Sequence, residues 1–185
     1  MRSLAFALAL SYLALGSVGC GEDGSSASSP SAIEPTAASV QRLRDDNPNA
    51  NRLLPGGRRR LTELLKAAHG TPVVVNQWAS WCGPCRYEFP FFQRLAQRYR
   101  GRVRFIGVDS RDSRAAAERF LARYPTPFEH VEDPDAEAAR MFGGGRAWPT
   151  TAFYTDSGRL NYTHQGSYRS ADELDAQIRR YALRG

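Results

Sequence analysis

The sequence predicts an α/β sandwich, a mixed central sheet with helices on both faces. Three observations predict it. Helical and strand patterns alternate from Leu61 onward. A strand, helix, strand order over about 72–109 requires a parallel, right-handed crossover. Two apolar runs around Asp156-Ser157-Gly158-Arg159 then read as an antiparallel hairpin near the C-terminus.

Leu61, Leu64, Leu65 and Ala68 fall at helical spacing and give a first helix with one buried face. Pro72–Trp78 holds Val73-Val74-Val75, a β-branched run suited to a strand covered on both sides. The next helix runs from about Gly83 to Arg100, with Phe89, Phe92, Ala96 and Tyr99 as its inner stripe. Pro90 interrupts its hydrogen bonding and is expected to kink it. Arg102–Asp109 is the second strand. Ser113 caps a helix whose inner face is Ala117, Phe120, Leu121 and Tyr124. Phe128–Val131 reads as a short strand. Asp133 and Pro134 read as a cap and first helical residue of a short helix to Phe142. Gly143-Gly144-Gly145 reads as a flexible connection, since no helix follows to make a phosphate cradle. Thr150–Thr155 and Leu160–Gly166 form the hairpin. Ser170 and Glu173 make a capping-box pair for a last helix that buries Leu174, Ile178 and Tyr181.

The N-terminal third reads differently. Arg2, the apolar stretch Leu4–Leu15 and small residues up to Gly19 have the order of a secretory signal, residues 1–19. The apolar stretch is too short to span a membrane as a helix. Residues 20–39 read as a flexible tether, because Gly21–Ser39 contains six Ser, four Ala, two Gly and two Pro and cannot bury a core. Residues 40–60, with Asn47-Pro48-Asn49 and Pro55-Gly56-Gly57 as turn signals, read as an irregular arm. Residues 61–185 remain as a single domain of ordinary size. Its 42% hydrophobic fraction is that of a globular protein.

The net charge is +6. The arginines are scattered apart from Arg58–Arg60, and no nucleic-acid motif accompanies them, so no nucleic acid is expected as a partner. Three cysteines are too few for a disulfide scaffold. His69, His130 and His164 lack ligand spacing and no second cysteine pair exists, so neither metal nor cofactor is expected.

Chemistry concentrates at Trp81–Cys85. Cys82-Gly83-Pro84-Cys85 lies where a strand meets a helix N-terminus. Free N–H groups and the positive end of the helix dipole stabilise a thiolate there. The first cysteine is placed to attack and the second, one turn deeper, to resolve a mixed disulfide. Haem attachment would need His after Cys85, where the chain has Arg86.

Trp78-Ala79-Ser80-Trp81-Cys82-Gly83-Pro84-Cys85-Arg86 resembles the thioredoxin active site. With Tyr87-Glu88-Phe89-Pro90 it resembles the extracytoplasmic TlpA/ResA-like branch of thioredoxin-fold proteins, over about 61–181. The resemblance implies a three-layer thioredoxin-like sandwich. Trp148-Pro149-Thr150-Thr151-Ala152-Phe153 looks like the cis-proline strand opposite the CxxC. By the same resemblance Cys82 is the nucleophile, Cys85 the resolving thiol and their pair the redox disulfide. Asn76 stands where thioredoxin has a buried Asp. Glu88 matches a glutamate near the site that could move a proton to or from Cys85. Pro90 matches a kink in the active-site helix. Trp81, Gly83, Pro84, Trp148 and Pro149 would meet the substrate. Ser17-Val18-Gly19-Cys20 resembles a bacterial lipobox, with Ser17 where such families usually carry Leu, and implies lipidation of Cys20.

These readings make the chain a membrane-tethered thiol–disulfide oxidoreductase outside the cytoplasm, reducing protein disulfides and reset by a membrane electron donor or acceptor protein. Reduction of apocytochrome thiols, in cytochrome c maturation, is one role the resemblance implies. A disulfide donor or isomerase using the same site is the alternative. A non-redox metal- or haem-handling module is a further one, against which the CxxC spacing argues. The protein is expected to be a monomer.

Overall fold

A computed structural model describes residues 37–184. The expected signal, most of the expected tether and Cys20 lie outside the described residues.

Six strands form one sheet in the order β1-β4-β3-β2-β5-β6: β1 (Leu53–Leu54), β2 (Val73–Trp78), β3 (Arg104–Ser110), β4 (His130–Asp133), β5 (Thr150–Tyr154) and β6 (Leu160–Gln165). The first four run parallel, β5 is antiparallel to β2, and β6 to β5. This is the mixed sheet that the residue pattern predicts. Val73 and Val75 face α2 (Gly57–Ala67) and α5 (Glu137–Arg140), with Leu61, Leu64, Ile106, Val108 and Phe142. Val74 faces α3 (Gly83–Arg98) and α6 (Ala171–Gln177), with Phe92, Leu95, Phe105, Phe153 and Leu174. A third cluster, around Trp78, Phe89, Phe120 and Leu121, lies under α4 (Arg114–Arg123) and includes both cysteines of the CxxC. β2 is buried along its whole length, as a central parallel strand must be.

Four sequence expectations are corrected. Residues 40–60 are not an irregular arm. They carry most of α1 (Ala37–Asp46) and the edge strand β1, which pairs with β4, so the fold begins before Leu61. Asparagines tie this stretch down: the Asn47 amide donates to Glu129 at 2.9 Å, and Asn51 Oδ1 accepts from Thr126 N at 2.9 Å. A two-residue strand is too short to show any periodicity.

Asp133 and Pro134 do not open α5. Ala136 adopts a left-handed conformation before it, and the Asp133 carboxylate reaches from the end of β4 to the amides of Ala138 and Ala139, both at 2.9 Å. The fourth strand itself is shifted to His130–Asp133.

The glycine run is not a free connection. Gly144 N donates to Ala139 O and Gly145 N to the buried Gln77 side chain, both at 2.9 Å. A Cβ on Gly144 would lie 2.1 Å from Gln77 Oε1, so glycine is required by close approach.

Candidate active site

Strand β2 ends at Trp78, and a tight turn carries the chain into α3. Cys82 Sγ accepts from Cys85 N at 3.1 Å, capping the helix, and Cys82 N donates to Ala79 O. Gly83 and Pro84 are the first helical residues, where proline's missing N–H costs nothing. Cys82 and Cys85 form a disulfide with Cα atoms 5.3 Å apart. Cys82 is 3% exposed and Cys85 is fully buried. Helix α3 continues through Pro90 to Arg98.

One turn beyond Cys85, the Glu88 carboxyl is fully buried. Its oxygens accept from Asn76 Nδ2 at 2.9 Å and from Tyr168 N at 3.1 Å. Burial pushes Glu88 up to about 8, while these two donors pull the other way. Asn76 also donates to Thr151 Oγ1 at 3.2 Å. Asn76, Thr151 and His164 are register partners across β2, β5 and β6, which aligns a polar row on the α3 side of the sheet. Tyr168 stacks on His164 with centroids 4.4 Å apart and donates its hydroxyl to Gln177 at 2.9 Å.

The Trp148–Pro149 bond is cis, and Pro149 leads into β5, the strand beside β2. Trp81 is 55% exposed and leans on the half-buried Trp148, centroids 5.3 Å apart. Its indole N–H donates to Arg111 O at 3.0 Å. Trp148 packs against the cluster that holds Cys82, while Tyr87, 60% exposed on α3, packs on Phe91 and donates its hydroxyl to Arg169 O at 3.1 Å. Trp81 and Trp148 together make an apolar rim beside a nearly covered disulfide.

The structure thus places Asn76 against Glu88, Cys82 against Cys85 and Trp81 against Trp148. Sequence reasoning missed Thr151 and Tyr168, which hold Asn76 and Glu88 from other elements. It also missed two aspartates. Asp112 accepts from Ser80 N at 2.5 Å and so fixes the approach to Cys82. Asp109 is buried at the end of β3 beside Trp78; burial, then the charges of Asp112, Glu132 and Asp133, push it up to about 8. The polar run Asp109-Ser110-Arg111-Asp112 that closes an apolar strand was the available signal for Asp109. No group of metal-ligating side chains occurs among the described residues.

Residues 46–178 match the Redoxin family. The chain is 32% identical to the thiol:disulfide interchange protein DsbE homolog of Paracoccus denitrificans, over 72% of each chain. It is 28% identical to the thiol-disulfide oxidoreductase ResA of Oceanobacillus iheyensis, over 63% of this chain and 60% of the relative. In structure it is similar to a secreted Mycobacterium tuberculosis disulfide oxidoreductase homologous to E. coli DsbE. That likeness has a TM-score of 0.55 and 26% identity, and covers 62% of this chain and 85% of the other.

Proposed function

This chain belongs to the Redoxin family and is a thiol–disulfide oxidoreductase, and from that premise we propose that it reduces protein disulfides through Cys82 and Cys85, outside the cytoplasm and tethered to a membrane. The observation that carries the proposal is the Cys82–Cys85 pair at the mouth of α3, with the Glu88 carboxyl buried one turn beyond it.

In the reduced protein the Cys82 thiolate attacks one sulfur of a partner disulfide. The partner's S–S bond breaks, its second sulfur leaves as a thiolate, and a mixed disulfide forms. Cys85 then gives up its proton and attacks Cys82 Sγ. The remaining partner sulfur leaves and takes a proton. Two electrons have passed to the partner, and the Cys82–Cys85 disulfide is restored. Glu88, with its affinity for a proton pushed close to that of a thiol, is suited to take the Cys85 proton and to return it on the reverse step. Trp81, Trp148 and Pro149, with Gly83 and Pro84 at the helix mouth, supply the surface that receives the partner. Lipidation of Cys20 would hold the domain at the membrane, where a dithiol protein could reset it. Maturation of cytochrome c is one use of such a reductant, in keeping with the likeness to ResA and DsbE.

The reduction potential of the Cys82–Cys85 pair tests the direction of flow. A value of about −250 mV or lower supports a dedicated reductant, and one above about −180 mV makes the protein a disulfide donor or isomerase.

A further inference from the structure

Beside the redox centre lies a notch of about 340 Å³ lined by Ser80, Arg86, Arg119, Phe120, Arg123 and Tyr124. Three arginines line it and no carboxylate does. Among the described residues, Arg86, Arg119 and Arg123 make no ion pair, whereas Arg114 on the same helix pairs with Glu118 and Glu132. Arg119 and Arg123 are one turn apart on α4, a like-charge spacing that costs an isolated helix a few tenths of a kcal/mol. Arg86 is anchored to the active-site turn by its bond to Ser80 O at 3.3 Å. Arg123 lies over the Tyr124 ring, 5.8 Å from its centroid. Three guanidinium groups without an ion-pair partner therefore stand next to the sulfur-bearing loop.

We propose that this notch is a docking site for an acidic segment of the partner protein, flanking the disulfide presented to Cys82. The identity of that partner as a redox substrate rests on the function proposed above. Guanidinium groups suit carboxylates because their donors meet both oxygens in one plane. Position adds specificity: an acidic flank seated against Arg119 and Arg123 would bring the neighbouring disulfide toward the Trp81 rim. Charge at this place would also speed encounter.

The test uses the full oxidised chain and two labelled synthetic peptides, each with one internal disulfide. One is flanked by Asp and Glu, the other by Ser and Gln. Fluorescence anisotropy at low salt is expected to show the acidic peptide binding about tenfold tighter, the sum expected of two or three exposed ion pairs. Arg119→Gln with Arg123→Gln should shrink that preference to about twofold or less, 0.5 M salt should do the same, and Arg119→Lys with Arg123→Lys should keep most of it. Equal binding of the two peptides, or a preference untouched by the double Gln variant, overturns the proposal. So does inorganic phosphate at low millimolar concentration displacing the acidic peptide, which makes the notch a free-anion site. Arginine-dependent capture by phosphatidylglycerol vesicles without a peptide preference overturns it in favour of a lipid surface. Insulin reduction on the same preparations reads the redox function separately. Its loss with the acidic preference intact sinks the redox reading and not the notch.

Discussion

Asn76 donates one amide hydrogen to Glu88 and the other to Thr151, so a single side chain of β2 links the carboxyl behind Cys85 to the strand that follows Pro149. The two halves of the site, helix mouth and proline loop, therefore share a buried polar connection as well as a surface. With the Tyr168 amide as second donor, both Glu88 oxygens are engaged. The carboxyl is thereby held in one orientation.

Glu88→Gln removes the titrating group and keeps the shape. Burial places Glu88 near 8, so it is mostly protonated at neutral pH and becomes a proton acceptor as pH rises through about 8. The rate of insulin reduction should rise through that range in the natural protein. In Glu88→Gln the rise should be absent and the rate at pH 8 lower by about 10²-fold, the usual scale of general acid–base help. A stopped-flow pH profile checks this; an unchanged profile would remove Glu88 from the mechanism.

Asp109 gives a stability prediction with a definite sign. Its folded pKa is raised to about 8 above an ordinary value near 4, so the folded state holds the proton more tightly. The stability it contributes is fully present below about pH 4 and is lost as pH rises toward about 8. Asp109→Asn cannot ionise and escapes that loss. The variant should gain stability over the natural protein as pH goes from 5 to 8, by one or more kcal/mol at the upper end. Urea melts at the two pH values measure it. A gap that stays constant with pH would mean Asp109 does not titrate in this range.

Much of this was readable in the residues. The valine run of β2, the aromatic stripe of α3 and the Cys82-Gly83-Pro84-Cys85 junction carry strong local signals, and the structure has them as read. What was not readable is contact between distant elements. Nothing local to Thr151 says that Asn76 will reach it, or that the Tyr168 backbone will close on Glu88 from 80 residues away. Strand β1 was missed because two residues show no period, and the glycine run was misjudged because its partner, Gln77, lies far away in sequence on β2. Tertiary hydrogen bonds leave no periodic mark on a sequence.

Gly107 is required by His130, and that requirement supports the site from behind. A Cβ on Gly107 would stand 1.9 Å from His130 Nδ1. The ring cannot swing aside: Nδ1 accepts from Trp78 Nε1 at 3.0 Å, and Nε2 meets Thr126 Oγ1 at 2.7 Å. Burial lowers His130 to about 3, so it is a neutral packing and hydrogen-bonding group at working pH. Gly107→Ala should cost about 3 kcal/mol or more by overpacking. Because Trp78 packs in the cluster with both cysteines, the loss should also loosen the active-site turn. Chemical denaturation gives the first effect and faster disulfide reduction by a small thiol gives the second. A variant as stable as the natural protein would show that the imidazole has room to move.

Trp81→Ala separates docking from chemistry. The side chain is more than half exposed, touches Trp148 and makes one hydrogen bond to a backbone carbonyl at the surface. Its removal should cost the fold about 1 kcal/mol or less, since little of it is buried. A protein substrate that lies on the aromatic rim loses more: exposed tryptophans that become covered on binding are typical sites of concentrated binding energy. The expected result is a rise in KM for a protein disulfide of about tenfold, with kcat nearly unchanged and with reduction of a small-molecule disulfide nearly unaffected. Steady-state kinetics on both substrates decide the matter. If both substrates slow equally, Trp81 acts on the sulfur chemistry itself, by shaping the turn between Ser80 and Cys82, and the receiving surface must be sought around Tyr87 instead.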